Sequence, residues 1–119
     1  MQRNKLLIYH NPSCSKSRET LQLLHDHDQT PEIVEYLQQP PSHQELTDII
    51  KMLGISAREL LRTGEPAYRD AALDDAALGE EDIIAAICKF PSLLQRPIVV
   101  SGNQAIIGRP PIKVLEIIA

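Results

Sequence analysis

The stretch YHNPSCSKSRET, Tyr9 to Thr20, sets a lone cysteine among three serines, a lysine and an arginine, just after an apolar run. The thiolate is the reactive form of cysteine, and a free thiol ionises only near ~8.5. Cys14 falls where a helix should begin, and the unpaired backbone N–H groups of a helix start favour an anion. Lys16 and Arg18 add positive charge, and His10 ends the preceding apolar run within reach across the loop. The expectation is a Cys14 thiolate near neutral pH. The competing reading, a small core filler, fits poorly with neighbours as polar and turn-forming as Asn11, Pro12, Ser13, Ser15 and Ser17. Cys88 reads the other way. It follows IIAAI in phase with Ile84 on an amphipathic segment, so it is expected to be buried filler.

Spacing excludes two chemistries. A dithiol redox site needs Cys-x-x-Cys, and the fourth position here is Ser17. Cys14 therefore has no resolving partner nearby, and an external thiol must complete any redox cycle. A Cys-x5-Arg phosphate loop, as in low-molecular-weight tyrosine phosphatases, would need arginine at position 20, which is Thr20. Elsewhere, Arg96 and Arg109 each follow apolar residues and precede proline. A guanidinium at the edge of a strand needs either a partner or solvent. Arg62 ends a short capped segment, where a cation suits the helix C-terminus. His25 and His27 in HDHD are two apart and do not share a helix face, so they read as a solvated helix end and no metal site is expected.

These residues need elements to carry them. KLLIYH, Lys5 to His10, reads as a buried strand stopped by Asn11-Pro12; Lys16 to about His25 reads as a helix; Glu32 to Leu37 reads as a second strand. Together they form a βαβ unit with a right-handed crossover. Pro40-Pro41 then breaks the chain. Ser42-x-x-Glu45 opens a helix running to Gly54, and Ser56-x-x-Glu59 opens a shorter one to Arg62. A short helix is expected near Pro66 to Ala71 and another over Glu80 to Phe90, with acids in its first turn and Lys89 in its last. Pro97 to Ser101 and Ala105 to Gly108 flank Gly102-Asn103 as a hairpin, and RPPIKVLEIIA begins a closing helix. The order βαβ, helices, ββα predicts an α/β thioredoxin-like fold. It has a mixed four-stranded sheet and is a single domain over 1–119 with a helical insertion at about 42–90.

Composition agrees. The 119 residues suit one compact domain, and with aromatics at 3% and no Trp, aliphatic side chains must build the core. A net charge of −4 argues against nonspecific nucleic-acid or membrane binding. No segment reads as a signal peptide or a membrane span, and two distant cysteines do not make a secreted disulfide scaffold. The expected location is the cytoplasm, where thiols stay reduced, and the expected state is a monomer.

With these readings in place, YHNPSCSKSRET resembles the active-site loop of the glutaredoxin-dependent arsenate reductases, the ArsC family. YLQQPPSHQEL, ISARELLRTGEPAY, LLQRPIVV and IIGRPP resemble further family segments in family order, so the likeness covers nearly the whole chain. The resemblance implies that Cys14 attacks arsenate or a similar oxyanion, that His10 helps keep Cys14 ionised, and that Ser17 hydrogen-bonds the thiolate. It implies that Arg62, Arg96 and Arg109 bind the oxyanion, with Arg18 serving either the oxyanion or the helix surface. It implies a cis bond before Pro97. Glutathione is the implied co-substrate and glutaredoxin the implied partner, with no bound cofactor. Ser15 stands where reductases of this kind often carry glycine. Two alternatives share the fold: an Spx-like redox regulator that binds RNA polymerase, and a monothiol glutathione-dependent oxidoreductase with another substrate.

Overall fold

The computed structural model describes residues 6–118; Lys5, placed in the first strand by the sequence, lies outside them. The chain divides into two compact units, Met1–Gln39 with Arg96–Ala119, and Pro40–Gln95.

The first unit holds the sheet. β1 (Leu6–His10) leads through α1 (Ser15–Asp26) into β2 (Glu32–Glu35), and β3 (Ile98–Ser101) turns into β4 (Gln104–Ile107). The strand order is β2-β1-β3-β4. β1 pairs parallel with β2, placing His10 beside Glu35, and antiparallel with β3, placing Tyr9 beside Ile98. This is the mixed four-stranded sheet of an α/β, thioredoxin-like fold. The β3–β4 hairpin closes through two residues, and Gly102 supplies the positive φ of 61° that such a loop needs at its first position. Alternate residues of a strand face opposite sides of a sheet. Ile8 and Val99 share one face, and Leu24 of α1 and Val114 join them in a fully buried cluster against which Leu21, Ile106 and Ile117 pack.

Two ends differ from expectation. β2 stops at Glu35 rather than Leu37, because Gln38 and Gln39 turn back to donate N–H to the Glu35 carbonyl. The closing segment Pro111–Ile117 is a 3-10 helix, not an α-helix. Its first bond runs from Lys113 N–H to Pro110 O, 3.0 Å. Three residues per turn align Pro111, Val114 and Ile117 on one face, which suits the contact this segment makes with α1.

The second unit is helical. α2 (His43–Leu53) starts in a complete capping box: Ser42 Oγ accepts Glu45 N–H at 3.1 Å and Glu45 Oε1 accepts Ser42 N–H at 3.0 Å. α3 (Pro66–Asp70) and α4 (Glu80–Lys89) follow. Leu46, Ile49 and Ile50 of α2 and Ile83, Ile84 and Ile87 of α4 are buried, and the two helices touch. The segment after Ser56 is a 3-10 turn over Ala57–Leu60 and does not reach Arg62. A bridge between Leu61 and Leu94 competes for the chain: Arg62 N–H donates to Leu93 O at 2.8 Å and Gln95 N–H to Leu60 O at 2.7 Å. Cys88 is half-buried rather than buried.

Candidate active site

β1 delivers His10 to its C-terminal end, and the loop Asn11–Ser13 turns the chain into α1 with Cys14 at the N-cap. Asn11 organises this turn from three sides. Its side-chain oxygen accepts Ser13 N–H (3.0 Å), its carbonyl accepts Cys14 N–H (3.0 Å), and its own N–H donates to Ser17 Oγ (3.0 Å). Arg18 Nη1 donates to Pro12 O at 2.9 Å, bracing the loop from outside.

The first turn of α1 contains no acidic residue, so the positive end of the helix is left for whatever anion sits at the cap. That position belongs to the Cys14 sulfur, which is buried at 7% exposure. Cys14 makes no side-chain cap hydrogen bond, yet the Ser17 and Lys16 amides act on the sulfur electrostatically. Burial pushes the thiol up. The Ser17 amide, the hydrogen bond and charge of Arg96, and the Lys16 amide together outweigh burial, and Cys14 lies below the ordinary thiol value. Arg109 Nη2 approaches Sγ at 4.0 Å. Arg109 Nε in turn donates to Arg96 O at 2.7 Å, so the two arginine segments are tied together beside the sulfur. The bonds Arg96–Pro97 and Arg109–Pro110 are both cis; the second was not expected from sequence.

The first unit thus brings Cys14, Arg96 and Arg109 together. Lys16 contributes through its backbone, because its ammonium pairs with Glu19 at 3.6 Å, and the Arg18 guanidinium goes to Pro12 O. The groups that lower the Cys14 pKa are the Ser17 amide, Arg96 and the Lys16 amide. The hydrogen bond expected from Ser17 to the thiolate comes from its backbone N–H, not from its side chain. Ser17 is fully buried, its Oγ lies 2.6 Å from His10 Nδ1, and only its backbone N–H serves the sulfur. His10 is itself buried; burial lowers its pKa, Glu35 opposes that and Arg18 adds to it. Arg62 belongs to the second unit, where its guanidinium pairs with Glu65.

Two supporting residues escaped the sequence reading. Glu65 was marked only by its i,i+3 spacing from Arg62. Gly108 sits so close to α1 that a Cβ there would lie 2.7 Å from Thr20 Oγ1 and 2.9 Å from Pro97 Cγ. Its one signal was its place directly before Arg109-Pro110. Among the described residues, no group of three or more His, Cys, Asp or Glu is placed to hold a metal ion, and no helix is long and apolar enough to cross a membrane.

Comparison with known proteins matches residues 9–117 to the ArsC family. The chain is 52% identical over 112 residues to the uncharacterized protein YfgD of Escherichia coli K12, covering 93% of this chain and 94% of that protein. It is 46% identical over 114 residues to an arsenate reductase of Haemophilus influenzae, covering 95% and 98%. In structure it is similar to an arsenate reductase from Vibrio cholerae, with TM-score 0.94 and 42% identity over 98% of this chain and all of that one.

Proposed function

The chain belongs to the ArsC family, and on that premise we propose that it is an arsenate reductase-like thiol oxidoreductase in which Cys14 attacks arsenate. The observation that supports this most directly is a buried thiol held below its ordinary pKa with the Arg96 and Arg109 guanidinium groups beside it. Arsenate carries about two negative charges near neutral pH and must approach a sulfur that is itself an anion. Permanently charged, planar guanidinium groups offset that repulsion and orient the oxygens. Donors fixed in advance are usually the largest single catalytic contribution. Arg62, matched through the family segment LLRTGEP, is the third arginine in this reading.

The steps run as follows. The Cys14 thiolate bonds to arsenic and an arsenate oxygen leaves as water or hydroxide. Glutathione adds through its sulfur, with loss of a second oxygen as water. A glutaredoxin thiolate then attacks the glutathione sulfur. The S–As bond breaks, its electron pair stays on arsenic, and As(V) becomes As(III). Water releases arsenite and Cys14 is restored. Glutathione is a co-substrate and no cofactor is needed. A chain with Ser17 where a resolving cysteine would stand suits such an outside reductant. We place this chemistry in the cytoplasm, where glutathione keeps thiols reduced, and assign it to a monomer.

A coupled assay with purified protein, glutathione, glutaredoxin and arsenate tests the reading. Wild type should turn over and Cys14→Ser should fall to background. Equal inactivity of the two removes arsenate as the substrate.

A further inference from the structure

His10 was assigned a charge role by resemblance, but its contacts describe something else. Ser17 Oγ has one proton to give and two lone pairs. The Asn11 N–H can only donate, and it occupies one lone pair at 3.0 Å. The contact with His10 Nδ1, 2.6 Å, admits two arrangements. If Nδ1 carried a proton, Ser17 Oγ would accept twice, and the hydroxyl proton of a fully buried serine would be left to find another acceptor. If Nδ1 is bare, Ser17 O–H donates to it and the hydroxyl uses its proton and one lone pair well. The second arrangement requires a neutral imidazole with its proton on Nε2.

We infer that His10 acts as an uncharged hydrogen-bond acceptor, a positioning residue that fixes Ser17 and through it the amides facing Cys14, rather than as a cationic partner of the thiolate. His10 is anchored at the end of β1, Ser17 lies one turn into α1, and Asn11 joins them. The three-way junction at Ser17 Oγ sets where the first turn of α1 points, and the Ser17 N–H of that turn acts on Sγ. The charged groups acting on the imidazole are Glu35 from β2 and Arg18 from α1, one opposing the other, with burial against the cation. Protonating His10 would turn Nδ1 into a donor and break the bond from Ser17. This inference deepens the proposed function but does not depend on arsenate, because it is read at the thiol.

The test follows iodoacetamide alkylation of Cys14 against pH, with nitrogen-15 spectra of the His10 ring in the wild type. His10→Asn offers an amide oxygen near the place of Nδ1 and has no charge at any pH. It should keep the alkylation midpoint and hold the rate within about twofold of wild type, whereas His10→Ala and Ser17→Ala should slow alkylation at pH 6 by about tenfold or more. At pH 7 the wild-type ring should show a bare Nδ1 and a protonated Nε2. A protonated Nδ1, a His10→Asn protein as slow as His10→Ala, or a His10→Ala protein as fast as wild type would each overturn the inference. A protein that passes these tests yet fails the arsenate assay would retain the positioning role and lose only the substrate.

Discussion

At the level of single residues, the thiol of Cys14 sits where burial competes with the Ser17 amide, the Arg96 guanidinium and the Lys16 amide, and these donors win. The sign of the pH effect follows. A group that ionises more readily folded than unfolded stabilises the native state above its unfolded pKa and loses that contribution as pH falls through the folded value. Between those two values the unfolded chain holds the extra proton, so stability rises with pH. Thermal unfolding of wild type should therefore gain on Cys14→Ser as pH rises from neutral toward ~8.5. A constant offset between the two proteins would contradict this. Arg96 acts on the sulfur by both hydrogen bond and charge, so Arg96→Ala should raise the alkylation midpoint and slow Cys14 at neutral pH. Arg62→Ala should leave that midpoint in place and raise the arsenate concentration needed for half-maximal rate. Mapping both variants by alkylation and by turnover separates a residue that tunes the nucleophile from one proposed to hold the substrate.

At the level of elements, the site depends on how closely β4 approaches α1. Gly108 N–H donates to Pro97 O at 2.9 Å, extending the hairpin beyond its last residue, and the missing side chain leaves room for Thr20. Thr20 cannot swing aside freely, since its hydroxyl donates to Lys16 O at 2.8 Å within α1. Gly108→Ala should therefore cost about 1–3 kcal/mol by overpacking and displace Arg109 from Cys14, seen as a lower Tm together with slower alkylation. Ser42→Ala is the contrasting change. It removes a cap worth about 1 kcal/mol from α2, in the other unit, and should lower Tm while Cys14 titrates as before. The capping box was legible because both partners lie within four residues. The Ser56 box was equally legible, but its helix ends early, since the Leu61–Leu94 bridge draws on residues more than thirty positions away. A still longer separation in sequence hid the close approach of Gly108 to Thr20. Short-range spacing located the cysteine loop, β1, α1 and the hairpin; it had no means of directing the Ser17 hydroxyl to His10 rather than to sulfur.

At the level of the whole molecule, the two thiols are separated in chemistry as well as in sequence. Cys14 lies in the sheet-bearing unit at the start of a helix with no acid in its first turn. Cys88 lies in the helical unit near the end of α4, where burial pushes its pKa up and Glu45 adds to the effect, although its own backbone N–H opposes them. Opposite shifts mean opposite thiolate fractions at one pH, and the thiolate is the reacting species. A single reagent should thus see one fast and one slow cysteine in the folded protein. With a limiting alkylating agent at pH 7, mass spectrometry of tryptic peptides should find the label on Cys14 well ahead of Cys88, and denaturant should erase the difference. Oxidation in the presence of glutathione should likewise give a mixed disulfide at Cys14, with no bridge to Cys88. That outcome separates a monothiol enzyme, which needs an outside thiol to finish each cycle, from a regulator switched by an internal pair. Recovery of a Cys14–Cys88 disulfide from the folded protein would reverse the assignment.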